Sequence, residues 1–327
     1  MRQMPVVAEL LNRRHEVVLI TGENQAIISR QYLGNSVNVQ ICDTDAGLIV
    51  KPGTILLDEN ATTVRVKEHV TKWPELIATA PDADVYVVDI CPWALIAARE
   101  KEIPSFLMAS FTWVEQYEAF LPEELLKKYK DAFSLADHVL YYDLANEPTR
   151  GLLGDGKEVG FVARPFTDAV DKLRCKHNRE TVFLSLGGSN SGLDFDIDVS
   201  ELPYDFITTS ALKLIGDNVE YLSMDVQNTQ DYIAAADYCI AKAGWSTVSE
   251  LMISGNRFAL INRPDVPEDT MIISQIENRN AGISINTEDL QDVGSVIDRI
   301  KRYPKSNLRY GNNYKKVTNL IAGNLGE

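Results

Sequence analysis

The run Thr181-Val182-Phe183-Leu184-Ser185-Leu186-Gly187-Gly188-Ser189-Asn190-Ser191-Gly192 decides how the rest of the chain is read. Its first six residues are apolar and β-prone, too short for a helix, and end in a Gly/Ser cluster, which is the pattern of a buried-type strand entering a loop. Adjacent glycines at the carboxyl end of a strand let the backbone approach a ligand, and their N–H groups can converge on phosphate oxygens. Ser189 and Ser191 could add hydroxyl donors. A plain tight turn accounts for the loop equally well.

Two further stretches downstream have the same layout. Ala236-Asp237-Tyr238-Cys239-Ile240-Ala241-Lys242-Ala243-Gly244-Trp245-Ser246-Thr247-Val248-Ser249-Glu250-Leu251 reads as a strand, a short loop and a helix starting near Ser246 or Thr247. Free N–H groups and the positive dipole end of that helix would make an anion site, although an ordinary capped turn has the same sequence. Thr247-x-x-Glu250 fits a capping box, which competes with a role for the Glu250 carboxylate at ribose hydroxyls. Asn262-Arg263-Pro264-Asp265-Val266-Pro267-Glu268-Asp269, followed by Gln275, again lies between a strand and a helix. Its acidic side chains could hold sugar hydroxyls, or could simply favour a first helical turn through the dipole. All three loops follow strand ends in one half of the chain, so a doubly wound sheet opens them on one rim.

Outward from this core, short apolar runs alternate with helical-period segments, which predicts parallel-sheet α/β units. Strands are expected at 16–20, 37–41, 85–89, 105–109 and 138–141, then at 181–186, 206–209, 219–222, 238–241 and 258–261. Helices are expected at 60–80, 93–101, 123–134, 229–235, 246–253, 270–280 and 287–302. The 327 residues suit two domains of about 150 residues each. The expected division is 1–163, a charged linker at 164–180 that contains Pro165, a second domain at 181–305, and a C-terminal helix at 306–327.

A net charge of −15, with 45% hydrophobic and 24% charged residues, describes a folded chain without the basic surface that nucleic-acid binding needs. Cys42, Cys91, Cys175 and Cys239 form no CxxC pair and read as reduced thiols of a cytoplasmic protein. No stretch approaches the ~18 apolar residues of a membrane span, which leaves room for peripheral membrane contact. The pairs Asp43/Asp45, Asp82/Asp84, Asp194/Asp196 and Asp196/Asp198 are expected to be solvated loops rather than metal ligands.

In combination these motifs resemble the donor domain of GT-B glycosyltransferases, closest to MurG-like family 28 enzymes and related UDP-glycosyltransferases. The motifs are Leu186 to Gly192, Ala235-Ala236-Asp237, Lys242 to Glu250, and Arg263-Pro264-Asp265 with Glu268. In the first half, Arg14-His15-Glu16-Val17, Asp89-Ile90-Cys91-Pro92, Ile103-Pro104-Ser105 and Ser110-Phe111-Thr112-Trp113 are similar to the acceptor domain of that superfamily. The resemblance implies two Rossmann-like domains facing a cleft. It also implies that Gly187, Gly188, Ser189, Gly244, Ser246 and Thr247 cradle the donor diphosphate, that Glu250 holds the ribose, and that Glu268, Asp269 and Gln275 contact the sugar.

No metal and no cofactor beyond the nucleotide sugar is implied, since amides and helix dipoles would neutralise the leaving group. Family members carry a strand and a Gly-x-Gly-His-x-x-Arg loop before the first helix. Here Arg2 aligns with the closing arginine, and the strand, glycines and histidine are missing. Among the acidic groups that remain, Asp89 is the candidate base, with a structural role as the alternative. His15, His69, His138 and His177 read as structural. The expected activity is inverting transfer of a hexose or N-acetylhexosamine from a UDP-type donor to an unknown acceptor. The alternatives are a non-catalytic nucleotide-sugar-binding protein or donor subunit, and an epimerase on the same fold; a homo-oligomer is compatible with all three.

Overall fold

A computed structural model describes residues 2–186, 193, 195–209, 212–223, 226–303 and 308–324. The chain forms two compact units: unit 1 comprises 1–49, 58–162 and 312–327, and unit 2 comprises 50–57 and 163–311.

Unit 1 runs α1 (Met4–Asn12), β1 (Val18–Thr21), α2 (Glu23–Leu33), β2 (Asn38–Ile41), α3 (Glu59–Thr79), β3 (Tyr86–Asp89), α4 (Pro92–Glu100), β4 (Ser105–Ala109), α5 (Trp113–Tyr117), α6 (Glu123–Phe133), β5 (His138–Tyr142), α7 (Glu147–Leu153) and β6 (Lys157–Gly160). Its strands form two sheets, β1–β2 and β3–β4–β5–β6, with parallel pairing throughout. Each β4 residue is buried, as expected of a strand paired on both sides and covered on both faces. By contrast, every β1 residue is only half-buried and Val87 of β3 is 37% exposed. The motif from Ser110 to Trp113 starts α5 through a capping box. Thr112 accepts from the Val114 amide, and Glu115 accepts from the Thr112 amide at 3.0 Å.

Unit 2 runs α8 (Ala169–Arg174), β7 (Thr181–Ser185), β8 (Ile197–Asp198), β9 (Asp205–Thr209), β10 (Leu214–Ile215), β11 (Val219–Leu222), α9 (Thr229–Ala235), β12 (Tyr238–Lys242), α10 (Trp245–Ser254), β13 (Arg257–Ile261), α11 (Pro267–Asn278), β14 (Ile283–Ile285) and α12 (Val293–Arg302). Six strands form one parallel sheet in the order β11-β9-β7-β12-β13-β14, the arrangement of a doubly wound domain. Val182, Leu184, Ile240, Ala259 and Ile261 fill its core, each wholly removed from water. At about 1.5–3 kcal/mol for each large side chain buried, this cluster is the main favourable term for the sheet.

The stretch 164–180, read as a linker, is part of unit 2 instead. The Thr167 amide and hydroxyl both donate to Asp231, and Arg174 caps the end of α9 at the Ala234 carbonyl. The C-terminal helix, α13 (Tyr314–Ala322), belongs to unit 1, where it lies against α1. Gly160 allows the approach: its φ is +82°, and a Cβ there would meet the Asn313 amide nitrogen at 2.7 Å. Asn313 in turn bonds the Phe161 carbonyl through its own amide and its side chain.

Candidate functional site

The carboxyl ends of β7, β12 and β13 are neighbours in the unit 2 sheet. Adjacent strands lie about 4.8 Å apart, so the three strand ends form one rim. The first loop, with Gly187, Gly188 and Ser189, lies outside the described residues. In the second, the Gly244 amide donates to the Lys242 carbonyl at 2.8 Å, and Gly244, in extended conformation, is the N-cap of α10. The helix therefore starts at Trp245, earlier than the sequence suggests, because the fully buried indole fixes the first turn. Its first internal bond runs from the Val248 amide to the Gly244 carbonyl, which leaves the Ser246 and Thr247 amides without an intrahelical acceptor. The Trp245 amide donates to Glu268 Oε1 at 3.3 Å, so the third loop meets the start of this helix.

With this start, Glu250 sits in the second turn and cannot close a capping box, which corrects that reading. It is 4% exposed, its Oε1 accepts from Arg164 Nε at 2.9 Å, and the ion pair brings Nη2 within 2.9 Å of the same oxygen. Burial raises the pKa of the Glu250 carboxyl, and Arg164 opposes the rise. The remaining Arg164 donors bind the Gln227 carbonyl at 2.6 Å and the Thr229 hydroxyl at 2.9 Å.

Asp269 also needs a correction. Both its oxygens accept from Arg263, each at 2.6 Å, and it is completely buried, so it braces the loop rather than facing a sugar. Glu268 and Gln275 remain half-buried on α11. Lys242, at the end of β12, is the other charged group here. Burial, and next the charge of Arg263, pull its pKa below that of an ordinary lysine, while Asp269 and Glu268 act the other way.

In unit 1 the loop after β2 meets the end of β3. Asp89 accepts from Arg2 Nε at 3.0 and 2.9 Å, and Arg2 Nη1 donates to the Ser110 hydroxyl at 3.2 Å. The Arg2 guanidinium also lies 5.2 Å from the Tyr142 ring centre. Asp43 pairs with Arg65 at 2.6 Å and Lys72 at 3.2 Å. Asp45 was expected to be solvated. Burial instead pushes its pKa up to about 6, with the charges of Asp89 and Asp43 adding to the effect. His69 is structural: it accepts from the Trp73 indole at Nδ1, so Nε2 donates to the Asp43 carbonyl at 2.8 Å. Among the described residues no group of three or more His, Cys, Asp and Glu could hold a metal ion, and no helix is long and apolar enough to cross a membrane.

Residues 167–321 match the glycosyltransferase family 28 C-terminal domain. Over those residues the chain is similar to that family, and its fold is that of the GT-B glycosyltransferases. Its structure is similar over 99% of the chain to CalG4, the calicheamicin glycosyltransferase (94% of that chain, TM-score 0.62, 14% identity). It is similar over the same share to Arabidopsis thaliana UGT89C1 complexed with UDP-L-rhamnose (95% of that chain, TM-score 0.63, 13% identity). In sequence it is 22% identical over 308 residues to an L-arabinokinase of Arabidopsis thaliana, a match that covers 88% of this chain and 29% of that protein.

The structure brings Gly244, Ser246, Thr247 and Glu268 together and places Glu250 one turn along the same helix. Arg164 and Asp45 were not found from sequence. Arg164 lies 86 residues from its carboxylate partner, and nothing near it in the chain marks the pairing.

Proposed function

We propose that this protein transfers a hexose or N-acetylhexosamine from a UDP-sugar to a hydroxyl acceptor, with inversion and without a metal ion. The supporting observation is the amino end of α10, where Gly244, Ser246 and Thr247 present backbone donors beside the carboxyl ends of β7, β12 and β13. Such an end, with its positive partial charge, suits two phosphoryl groups and stabilises a diphosphate as it leaves. On this reading Gly187, Gly188 and Ser189 complete the cradle. Arg164 fixes Oε1 of Glu250, which leaves Oε2 to accept from ribose hydroxyls. Glu268 and Gln275 meet the sugar. The UDP and UDP-L-rhamnose complexes of UGT89C1 support the choice of nucleotide.

A thermal-shift series with UDP, UDP-glucose and UDP-N-acetylglucosamine against GDP, CDP and TDP tests this reading. Ligand at 100 times Kd adds about 2.7 kcal/mol, a shift of several degrees. Thr247→Asp should abolish the UDP shift while leaving the ligand-free melting temperature unchanged or slightly higher, because an acidic group at a helix start favours the helix but repels a diphosphate. No shift with any nucleotide removes the proposal. A shift without any turnover points to a binding protein instead.

A further inference from the structure

A cavity of about 430 Å³ opens at the other edge of the unit 2 sheet, where β7, β12 and β13 begin. The strand register sets Val182, Tyr238 and Arg257 in one row, so Thr181, Asp237 and Asn256 stand one residue earlier, at the amino ends. β12 is five residues long, which separates this edge from the start of α10 by about 13 Å of strand. All the residues that line the cavity belong to unit 2.

In a chain of net charge −15, three arginines line this one cavity: Arg174, Arg179 and Arg257. Arg174 Nη2 donates to the Ala234 carbonyl at 2.9 Å and Arg257 Nη1 to the Lys301 carbonyl at 3.3 Å. These bonds hold both guanidinium groups, and each keeps further N–H donors. Arg179 makes no hydrogen bond and no ion pair among the described residues. The carboxylates nearby are already engaged. Asp171 lies 3.5 Å from Arg174 Nη1, Glu180 pairs with Lys301 at 2.8 Å, and Asp237 Oδ2 accepts from the Thr181 amide at 2.8 Å and hydroxyl at 3.2 Å. The Asn256 amide nitrogen faces the Ile233 and Ala236 carbonyls, so its Oδ1, like Oδ1 of Asp237, is left to accept.

We propose that this cavity binds a small phosphomonoester that also carries hydroxyl groups, of the size of a sugar phosphate. Guanidinium groups match phosphate oxygens in geometry as well as charge, and Arg179 supplies the cation that nothing in the protein neutralises. Oδ1 of Asp237 and of Asn256 accept from the hydroxyls. A bare oxyanion would leave both acceptors unmet and would face the Asp237 charge at close range. The volume lies within the roughly 300–1,000 Å³ of small-molecule sites and exceeds what inorganic phosphate fills. Because the cavity lies at the amino ends of the strands, it is separate from the start of α10 and does not depend on the nucleotide reading.

Isothermal titration of the full chain at low ionic strength, with glucose, inorganic phosphate, glucose 1-phosphate and glucose 6-phosphate, tests this. One or both sugar phosphates should bind at least about tenfold more tightly than inorganic phosphate, and glucose should not bind, since charge-assisted hydrogen bonds carry the contact. Arg179→Ala should weaken that binding by about 10–100-fold, the worth of a hydrogen bond to a charged group. Its melting temperature should stay that of wild type, because the side chain is exposed and unbonded. Arg179→Lys should recover part of the affinity. Thr247→Asp, which spoils the anion site at the start of α10, should bind the sugar phosphates as wild type does. The proposal is overturned if neither sugar phosphate binds, if inorganic phosphate binds as tightly, or if Arg179→Ala binds like wild type. It is also overturned if Thr247→Asp abolishes binding, which would put the ligand at the other edge. Absence of a UDP shift would leave this site standing, and absence of sugar-phosphate binding would leave the nucleotide reading standing.

Discussion

Unit 2 holds six of its eight described strands in one sheet, with β7 paired to β9 and β12 and with β12 paired to β7 and β13, and sets β8 and β10 apart as a short pair. Unit 1 has the same alternation of strands and helices but divides its six into two and four, so β1 and β3 each bond to one neighbour. The charged groups differ in the same sense. Around the unit 2 rim Glu250 and Asp269 are matched to Arg164 and Arg263. At the unit 1 edge Asp45 has no ion pair among the described residues. The larger sheet carries its buried carboxylates paired with arginines, whereas the divided sheet keeps a carboxylate whose charged form the fold disfavours.

The largest expected effect tests the sheets themselves. Native-state hydrogen exchange should find β7 and β12 amides opening on the order of ten-thousandfold less often than those of β1 and β3, a difference of about 5–6 kcal/mol. Equal protection in the two units would erase the contrast.

A change in the matched charges comes next. Arg164→Met strands a buried carboxylate and should destabilise unit 2 by about 3–5 kcal/mol in urea unfolding. Adding Glu250→Gln to that variant should recover much of the loss, because it is the unpaired charge that costs most. A single variant that unfolds like wild type would show the pair to be energetically idle.

The smallest effect is on the unmatched side. The folded pKa of Asp45, about 6, lies above its ordinary 3.8, so folding favours the protonated form. Its contribution is full below pH 4 and is lost as pH rises through 6, after which it stays level. Asp45→Asn should therefore stabilise unit 1 by about 2–3 kcal/mol at pH 7 and change little at pH 4, at about 1.4 kcal/mol per pKa unit. A variant that is less stable at pH 7 would contradict the burial of a costly charge.

Sequence revealed most of the strands but neither their order in the sheets nor much of the side-chain pairing. Val182 to Leu184 and Cys239 to Ala241 are wholly buried, and such uniformly apolar runs are easily seen. The helix α2 went unseen because it buries only Ala26 and Ser29 and so shows no apolar stripe. The helix expected at 287–302 is broken into a short 3₁₀ turn and α12, since the Asp292 side chain accepts from the Ser295 amide and starts a new helix there. β14 is three residues long, too short for its pattern to stand out. At the site, loops after strands were legible because glycine and helix-start residues are local features. Partners such as Arg2 for Asp89 and Arg263 for Asp269 depend on the folded path of the chain.

Arg164 comes two residues after the chain leaves unit 1. Its guanidinium fastens that entry point to Glu250 on α10, to the turn at Gln227 and to the start of α9. The first residues of unit 2 are thus moored to the second turn of α10.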